Sequence, residues 1–572
     1  MTAPAAPAPG AAPPPPRARW LVDAAVLLTL SGIALWLRWP ALFTEGFHNE
    51  DAAGIAYNAD LLRRGLLPMV DSLELKAPGS FFVSWLSWGA FGRSVATLQR
   101  VACAWALLAG AGVYVGGVLL YGRRAGVVAA LIYTVFAPIT DSIDINYGAW
   151  MAMPYVWATV ALIAGLRGGR AGYFAVAGLA LAWAGLLKRQ AAVLFPLFLV
   201  VLLYRRWVRP DGWADAPPRR RATGLLFLGL AAGFGTLMAY YLAHGALGTF
   251  VHDYFFSEGG WRYAAQGRLG WGEKLPRVGD GFLGFWEYMA TPSLLAAMTL
   301  VGAYRPGRPW TLRGALLGGH FWLSFLGAAL GFRFFKGYYL QVLPAAAWIA
   351  AHPDGALTRW LRAEAWTGPA RRRAGAAAVA LCTALALVPA LINDVGQLKA
   401  IRARREHPLD REAQRAARVI VPNTGPEDTI WVWGRWAWPV YFHADRLAAT
   451  RYYKVLGVVT NNLTNTWRRP TEPTRFVAGG PDADLIADLK KNRPAFIVVS
   501  HNELYRDWTA FKALLASDYQ PVPNLRMRQF TVYNRRDHVL VKPVRPNPPR
   551  RAKPKHKPRP KPKPPPPASQ PS

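Results

Sequence analysis

An acidic loop that ends in a lysine lies between the first two apolar segments of the chain. It contains Glu50 and Asp51 at one end and Asp71 and Lys76 at the other. Ionisable side chains are costly within the membrane part of a protein, and a cluster of them close to that part indicates function. A carboxylate in such a place can take a proton from a hydroxyl group, and a lysine can hold an anion. The loop is therefore the first candidate site for chemistry at a membrane surface.

The loop begins with a segment of helical periodicity. Between Asp51 and Arg64, Ile55 and Leu61 are among the apolar positions, and Asn58 is among the polar ones. This pattern predicts an amphipathic helix that lies flat on the bilayer, with Asp51 at its N-terminus, where the helix dipole favours a carboxylate. The alternative is that Asp51 only caps this helix.

Apolar segments recur along the rest of the chain. The sequence has 572 residues, of which 52% are hydrophobic, and it contains 25 tryptophans. A run of about 18–20 apolar residues crosses about 30 Å of hydrocarbon. We therefore predict a multi-pass α-helical membrane protein with about eleven transmembrane helices. These lie near residues 20–42, 97–121, 124–139, 147–166, 171–187, 190–206, 224–246, 283–304, 313–332, 337–351 and 375–392.

The basic residues indicate the orientation of these helices. The formal net charge of +34 comes largely from arginines in alternate loops, such as Arg123-Arg124 and Arg371 to Arg373, and from the tail. Basic loops stay in the cytoplasm. This places the N-terminus in the cytoplasm, and the acidic loop and the residues after 393 on the other side. Because the charge follows the topology, we do not predict binding of nucleic acid.

Composition divides the chain into four parts. Residues 1–16 are rich in proline and alanine, and residues 546–572 in proline and lysine, so both are predicted to be disordered. Residues 17–393 form the transmembrane domain, which carries the external loop 43–79. Strand-like Thr429–Trp433 and Ala495–Val499 alternate with a helix-like segment, Asp482–Asn492. Residues 395–545 are therefore predicted to form a small extracytoplasmic α/β domain.

The motifs of the loop resemble those of the GT-C glycosyltransferases, such as protein O-mannosyltransferases and the lipid A aminoarabinose transferase. That pattern has Asp-Glu, a surface helix, Gly-x-x-Pro-Tyr-x-Asp and then Lys-Pro-Pro-Gly. Asp51, Asp71, Lys76 and Gly79 match it. The chain departs from the pattern after Asp51, where Glu is replaced by alanine and the neighbouring acid is Glu50, and after Lys76, where alanine replaces the first proline.

The resemblance implies an enzyme that uses a sugar joined to a polyprenyl phosphate. An acceptor hydroxyl attacks the anomeric carbon, and the lipid phosphate leaves. Asp51 is then the general base, with Glu50 as the alternative. The departing phosphate has a second pKa of about 6, so it requires no general acid. We predict no cofactor, and no ligand pattern indicates a metal ion.

The resemblance also implies cations that hold the donor phosphate. Lys76 is the first candidate, and the others lie in two further segments predicted on the same face of the membrane. Lys188 resembles the lysine of a Lys-Gln turn in these enzymes, and Arg333 and Lys336 lie in a segment that resembles a late motif of the family. Tyr338 and Tyr339 flank the phosphate in this interpretation. The alternative is that these residues anchor the helices at the membrane interface.

Asp71, Asp144 and Asn146 are candidates for binding the acceptor or the sugar. Asp144 and Asn146 lie in the second external loop, where GT-C enzymes often have an acidic or amide residue that faces the active site. The alternative for this loop is that its polar residues cap a helix.

We therefore predict an inverting glycosyltransferase of the bacterial inner membrane. Its partners are a polyprenyl-phosphate sugar donor, an acceptor of the cell envelope and membrane lipids. Three alternatives remain: a lipid-carrier flippase or transporter, a non-catalytic scaffold with the same fold, and an enzyme that transfers oligosaccharide to asparagine. A transporter predicts internal repeats and charges near the middle of the membrane. The sequence does not identify the sugar or the acceptor.

Overall fold

A computed structural model describes residues 16–204, 218–256, 271–303, 311–353, 370–403, 407–434, 437–455, 458–459, 476, 479–501 and 508–542. The two terminal segments predicted to be disordered lie outside these residues, apart from Pro16. Helices dominate the first 400 residues. They are α1 (Pro16–Arg38), α2 (Glu50–Arg63), α3 (Gly79–Phe91), α4 (Val95–Tyr121), α5 (Arg123–Phe136), α6 (Tyr147–Gly168), α7 (Gly172–Leu187), α8 (Leu194–Tyr204), α9 (Arg219–Ala243), α10 (Leu247–Val251), α11 (Trp271–Ala303), α12 (Leu312–Ala329), α13 (Leu343–Ala350) and α14 (Ala370–Arg402).

Each apolar segment predicted to span the membrane is largely helical. Among the described residues, four helices are both long and apolar enough to cross a membrane, namely 20–38 and the helices α4, α6 and α9. Short 3-10 helices, Arg189–Val193 and Lys336–Gln341, precede α8 and α13. The count of about eleven spans and their orientation stay predictions.

Small residues let the helices approach closely. On α7, a Cβ atom at Gly178 would lie 2.0 Å from the carbonyl oxygen of Leu226 on α9. On α9, a Cβ atom at Gly229 would lie 1.9 Å from the carbonyl oxygen of Ala175 on α7. Only glycine permits both contacts, and the backbones of the two helices touch there, as they do at small-residue interfaces in membranes.

The C-terminal part combines helices with a small mixed sheet. Its helices are α15 (Pro408–Ile420), α16 (Pro439–Ala444), α17 (Pro481–Asn492) and α18 (Thr509–Asp518). Its strands are β1 (Ile430–Trp433), β2 (Phe496–Ser500), β3 (Tyr519–Pro521) and β4 (Phe530–Arg535), in the order β1-β2-β4-β3. The two strands and the helix predicted from the sequence are present. The assignment of residues 395–545 to a separate extracytoplasmic domain stays a prediction.

Strands β1 and β2 run parallel, and β4 pairs antiparallel with both β2 and β3. Every residue of β1 and of β2 is buried, which agrees with their continuous apolar sequences. The rings of Trp431 and Trp433 pack against Phe511 of α18, which covers this part of the sheet.

Helix α2 is not a surface helix, and the sequence prediction was wrong on this point. Residues 52–62 are all buried, and α2 packs against α3 and α16. A helix on the bilayer would keep one polar face exposed. Its polar positions have protein partners instead: the guanidinium of Arg93 donates to both carboxylate oxygens of Asp60, at 2.7 and 2.6 Å. Arg93 also donates to the carbonyl oxygen of Phe442 at 2.9 Å, which links α2 to α16.

Candidate functional site

Asp51 and Lys76 form an ion pair at the start of α2. The ammonium group of Lys76 donates to Oδ1 of Asp51. The Lys76 side chain is 19% exposed and that of Asp51 is 41% exposed, so the pair is accessible from one side. Lys76 also lies over the ring of Tyr147, with its Nζ atom 4.7 Å from the ring centroid. The two residues that the sequence motif separates by 25 positions are thus in direct contact.

The cap of α2 is Asn49 and not Asp51. The side chain of Asn49 accepts a hydrogen bond from the backbone N–H of Ala52 at 2.8 Å. Asp51 lies in the first turn, where the helix dipole favours its negative charge. Because a neighbour does the capping, the alternative role for Asp51 as a cap is not supported. Glu50 lies beside it and is half-buried.

The loop between α2 and α3 holds Lys76 close to the helix ends. Asp71 is exposed and accepts a hydrogen bond from the backbone N–H of Leu67 at 2.7 Å, which closes a turn. A role of Asp71 in binding the acceptor stays a prediction. At Gly79, a Cβ atom would lie 2.7 Å from the carbonyl oxygen of Leu186. Glycine therefore lets the start of α3 contact the end of α7, which brings Lys188 close to the loop.

Lys188 lies in the same cluster. Its Nζ atom is 4.2 Å from the ring centroid of Tyr338, and a Cβ atom at Gly148 would lie 3.6 Å from it. Burial lowers the pKa of Lys188 to about 7, although the carboxylates of Asp51 and Asp141 act in the opposite direction. Lys188 therefore titrates near neutral pH, unlike an ordinary lysine.

Lys336 completes the set of cations. Its Nζ atom lies 3.0 Å from Oδ1 of Asp141, in the loop between α5 and α6. Asp141 has a left-handed backbone, with φ of 66°, which costs free energy in a residue other than glycine. Its carbonyl oxygen accepts a hydrogen bond from the amide of Asn146 at 2.5 Å. Asn146 also caps α6, because its side chain accepts from the backbone N–H of Ala149 at 2.8 Å.

The remaining predicted residues are less accessible. Asp144 is fully buried. Arg333 is buried between Phe332 and Phe334, whose φ angles of 48° and 51° are left-handed. Tyr339 is buried, and its hydroxyl donates to the carbonyl oxygen of Gly281 at 2.7 Å, so it holds the helices together. Contacts of these three residues with donor or acceptor stay predictions.

The sequence analysis missed three residues of the site, Glu74, Arg189 and Asp141. Glu74 is buried beside the backbone of Lys76. Burial raises the pKa of Glu74, but the charges of Lys454 and Lys76 outweigh burial and hold the pKa below its ordinary value. The signal for Arg189 was its position directly after Lys188, and the signal for Asp141 was its place in the same loop as Asp144 and Asn146. For Glu74 the available signal was an acidic residue inside the motif, two positions before Lys76.

The cluster thus combines two carboxylates, Asp51 and Asp141, with three lysines at the ends of helices and in the loops between them. Such an arrangement can accept a proton at a carboxylate and hold an anion among the lysines. Within the residues that the structure describes, no group of three or more His, Cys, Asp or Glu side chains is placed to hold a metal ion.

Comparison with known proteins identifies the fold. Residues 75–213 match the family described as dolichyl-phosphate-mannose-protein mannosyltransferase. The structure is similar to ArnT from Cupriavidus metallidurans bound to undecaprenyl phosphate, with a TM-score of 0.53 and 16% identity over 91% of this chain and 98% of that chain. It is also similar to the oligosaccharyltransferase of Archaeoglobus fulgidus tethered with an acceptor peptide, with a TM-score of 0.55 and 13% identity over 89% of this chain and 74% of that chain.

No curated protein matches the sequence over its length or part of it. The family match begins at Leu75, directly before the lysine of the loop, and extends beyond Lys188. The resemblance predicted from the loop is therefore confirmed: the chain has the GT-C fold that it shares with ArnT and the archaeal oligosaccharyltransferase, and its segment 75–213 matches the mannosyltransferase family.

Proposed function

We propose that the chain is an inverting glycosyltransferase that moves a sugar from a polyprenyl-phosphate donor to an acceptor of the bacterial cell envelope. The observation that carries this proposal is the Asp51–Lys76 ion pair, with Lys188 and Lys336 in the same cluster. The fold shared with an ArnT structure that holds undecaprenyl phosphate supports a lipid phosphate as the leaving group.

In this mechanism the acceptor oxygen attacks the anomeric carbon, and its proton passes to the carboxylate of Asp51. The bond between the anomeric carbon and the phosphate oxygen breaks, and its electron pair leaves with the lipid phosphate. Because this is a single displacement, the configuration of the anomeric carbon inverts. A positioned base contributes about 10²–10⁴-fold to the rate. The lysines stabilise the charge that the phosphate gains.

Lys76 has two roles in this proposal. Without a donor, Lys76 neutralises the charge of Asp51 through the ion pair seen in the structure. When the donor phosphate enters, Lys76 shares its charge between the phosphate and the carboxylate. The carboxylate is then more basic at the moment when it must take the proton. This exchange of partners needs both groups within reach of one another, which the contact provides.

Asp51 is the better candidate for the base than Glu50. Adjacent residues on a helix point about 100° apart, so the two side chains leave α2 in different directions. Lys76 contacts Asp51 in the structure. The carboxylates of Asp51 and Asp141 both raise the pKa of Lys188, so Asp51 lies close to two of the lysines. We therefore assign the proton transfer to Asp51.

A transporter or flippase is less well supported. Such proteins need polar groups along a path through the membrane. The charged cluster lies instead at the start of α2, at the end of α7 and in the loops beside α3, α5 and α13. A cluster at one end of the helices favours chemistry at the membrane surface.

The test is transfer of a labelled sugar. The purified full-length protein is incubated with a panel of polyprenyl-phosphate hexoses, pentoses and aminopentoses and with a membrane extract, and products are followed by mass. We expect the wild-type protein to consume one donor and Asp51→Asn to consume none. The control is Glu427→Gln, which also changes a carboxylate to an amide, at an exposed position, and should consume the donor like wild type. Absence of transfer from every donor, or equal transfer by Asp51→Asn, contradicts the proposal.

A further inference from the structure

A buried glutamate, Glu74, and a half-buried arginine, Arg189, hold the peptide that precedes Lys76. Oε1 of Glu74 accepts hydrogen bonds from the backbone N–H of Leu75 at 2.8 Å and of Lys76 at 3.0 Å. On the opposite side of this peptide, the guanidinium of Arg189 donates to the carbonyl oxygen of Leu75 at 3.1 Å. The backbone of Lys76 is therefore fixed by side chains that the substrate does not need to contact.

The second oxygen of Glu74 is bound by the C-terminal part of the chain. Oε2 forms an ion pair with Lys454 and accepts a hydrogen bond from the hydroxyl of Tyr453 at 2.6 Å. The side chain of Glu74 is 0% exposed and that of Lys454 is 3% exposed. A buried ion pair stabilises a protein little compared with apolar residues of the same size, because both charges lose their hydration. Its presence is better explained by the geometry that it fixes.

The same network reaches the helix that carries Asp51. The amide of Asn58 donates to the hydroxyl of Tyr453 at 3.0 Å, and its carbonyl oxygen accepts from Ser72 at 2.6 Å. Asn58 follows Asp51 by two helical turns, so both lie on one face of α2. Glu74 thus connects the loop of Lys76, the helix of Asp51 and the segment that contains Tyr453 and Lys454.

We propose that Glu74 is a positioning residue, whose hydrogen bonds to the peptide before Lys76 set the place of Lys76 relative to Asp51 for binding of the donor phosphate, and whose contacts with Tyr453 and Lys454 connect this peptide to the C-terminal part of the chain. This inference rests on the proposed role of Lys76 in binding that phosphate. A displacement of about 1 Å in such a group costs up to about 10²-fold in activity.

The experiment separates the hydrogen bonds of Glu74 from its charge. Lys454→Met is combined with Glu74→Gln, which keeps an oxygen acceptor for the two N–H groups; we call this double variant the Gln pair. In the Met pair, Lys454→Met is combined with Glu74→Met, which removes the acceptor. Neither combination leaves a buried charge without its partner. Each double variant is made in two backgrounds, one that keeps Lys76 and one that also carries Lys76→Ala. The readouts are the melting temperature in detergent and the dissociation constant for undecaprenyl phosphate.

With Lys76 present, we expect the Gln pair to bind undecaprenyl phosphate within about threefold of wild type and the Met pair to bind it about 10- to 100-fold more weakly. In the Lys76→Ala background the two pairs should bind equally, because Glu74 acts through Lys76. If the Met pair does not fold, Tyr453→Phe replaces it. This change keeps all charges, and it should weaken binding about threefold with Lys76 and not in its absence.

The inference is overturned if the Met pair, or Tyr453→Phe in its place, binds as tightly as wild type. It is also overturned if the loss of affinity is the same with and without Lys76, since Glu74 is then only structural. A separate result concerns the role of Lys76: if Lys76→Ala alone leaves the affinity unchanged, Lys76 does not bind the phosphate, and the inference fails for that reason. The proposed function is judged separately, by transfer of sugar from the wild-type protein.

Discussion

The low pKa of Lys188 makes binding of the donor phosphate sensitive to pH above neutrality. With a pKa of about 7, Lys188 is half protonated at pH 7 and loses its charge as the pH rises. At pH 8 about one Lys188 in eleven remains a cation, and at pH 9 about one in a hundred, because each pH unit above the pKa lowers the charged fraction about tenfold. If the cation binds the phosphate, its affinity should fall by nearly the same factors.

The assay is the dissociation constant of the full-length protein for undecaprenyl phosphate between pH 7 and pH 9. In this range the phosphate is mainly a dianion, because its second pKa is about 6, so its own titration does not cause the loss. We expect wild-type affinity to fall about fivefold from pH 7 to pH 8 and about 50-fold from pH 7 to pH 9. Lys188→Arg, which stays charged, should bind with nearly constant affinity, and Lys188→Met should bind weakly throughout.

The matched control is Lys512→Arg, which changes an exposed lysine on α18 in the same way and should keep the wild-type pH dependence. Constant affinity of the wild-type protein from pH 7 to pH 9 refutes this account of Lys188. A loss of affinity that persists unchanged in Lys188→Arg also refutes it, because another group then causes the dependence.

Three further predictions concern the structure around the site. Gly79→Val places side-chain carbon atoms against the backbone of Leu186 and should lower the free energy of unfolding by about 1–3 kcal/mol, measured by thermal unfolding in detergent. Stability equal to that of wild type would contradict the close contact. Arg93→Met leaves the buried carboxylate of Asp60 with fewer partners and should lower the free energy of unfolding by about 3 kcal/mol in the same assay. The additional change Asp60→Asn should recover part of this loss. If it recovers none, the broken ion pair is not the cause. Lys76→Ala should weaken binding of undecaprenyl phosphate at least tenfold while Lys512→Ala does not, and equal binding by both variants would make Lys76 only an anchor.

The sequence predicted the local parts of this structure well. The long apolar segments form helices because a helix satisfies its own backbone groups, and no distant partner is needed to predict it. Likewise Asp51 and Lys76 belong to one loop, so their contact follows from a motif of limited length. The strands β1 and β2 have continuous apolar sequences that are typical of buried strands.

Features that depend on distant contacts were not predictable. Asn58 and Asp60 appeared to form the polar face of a surface helix, but their partners are Tyr453 and Arg93. The partner of Glu74, Lys454, is 380 positions away, and no pattern in a single sequence relates the two. The many alanines on all sides of α2 were the available signal, since a helix without large polar residues around it is usually buried.

Asp51→Asn tests the central claim most directly, in a single turnover of donor that is already bound. The substitution keeps the shape of the side chain and removes its ability to take a proton. We expect the rate of sugar transfer to fall about 10²–10⁴-fold. Affinity for undecaprenyl phosphate should stay the same or increase, because Lys76 no longer shares its charge with a carboxylate. A rate of transfer within a few-fold of wild type, with the donor bound normally, would show that Asp51 is not the base.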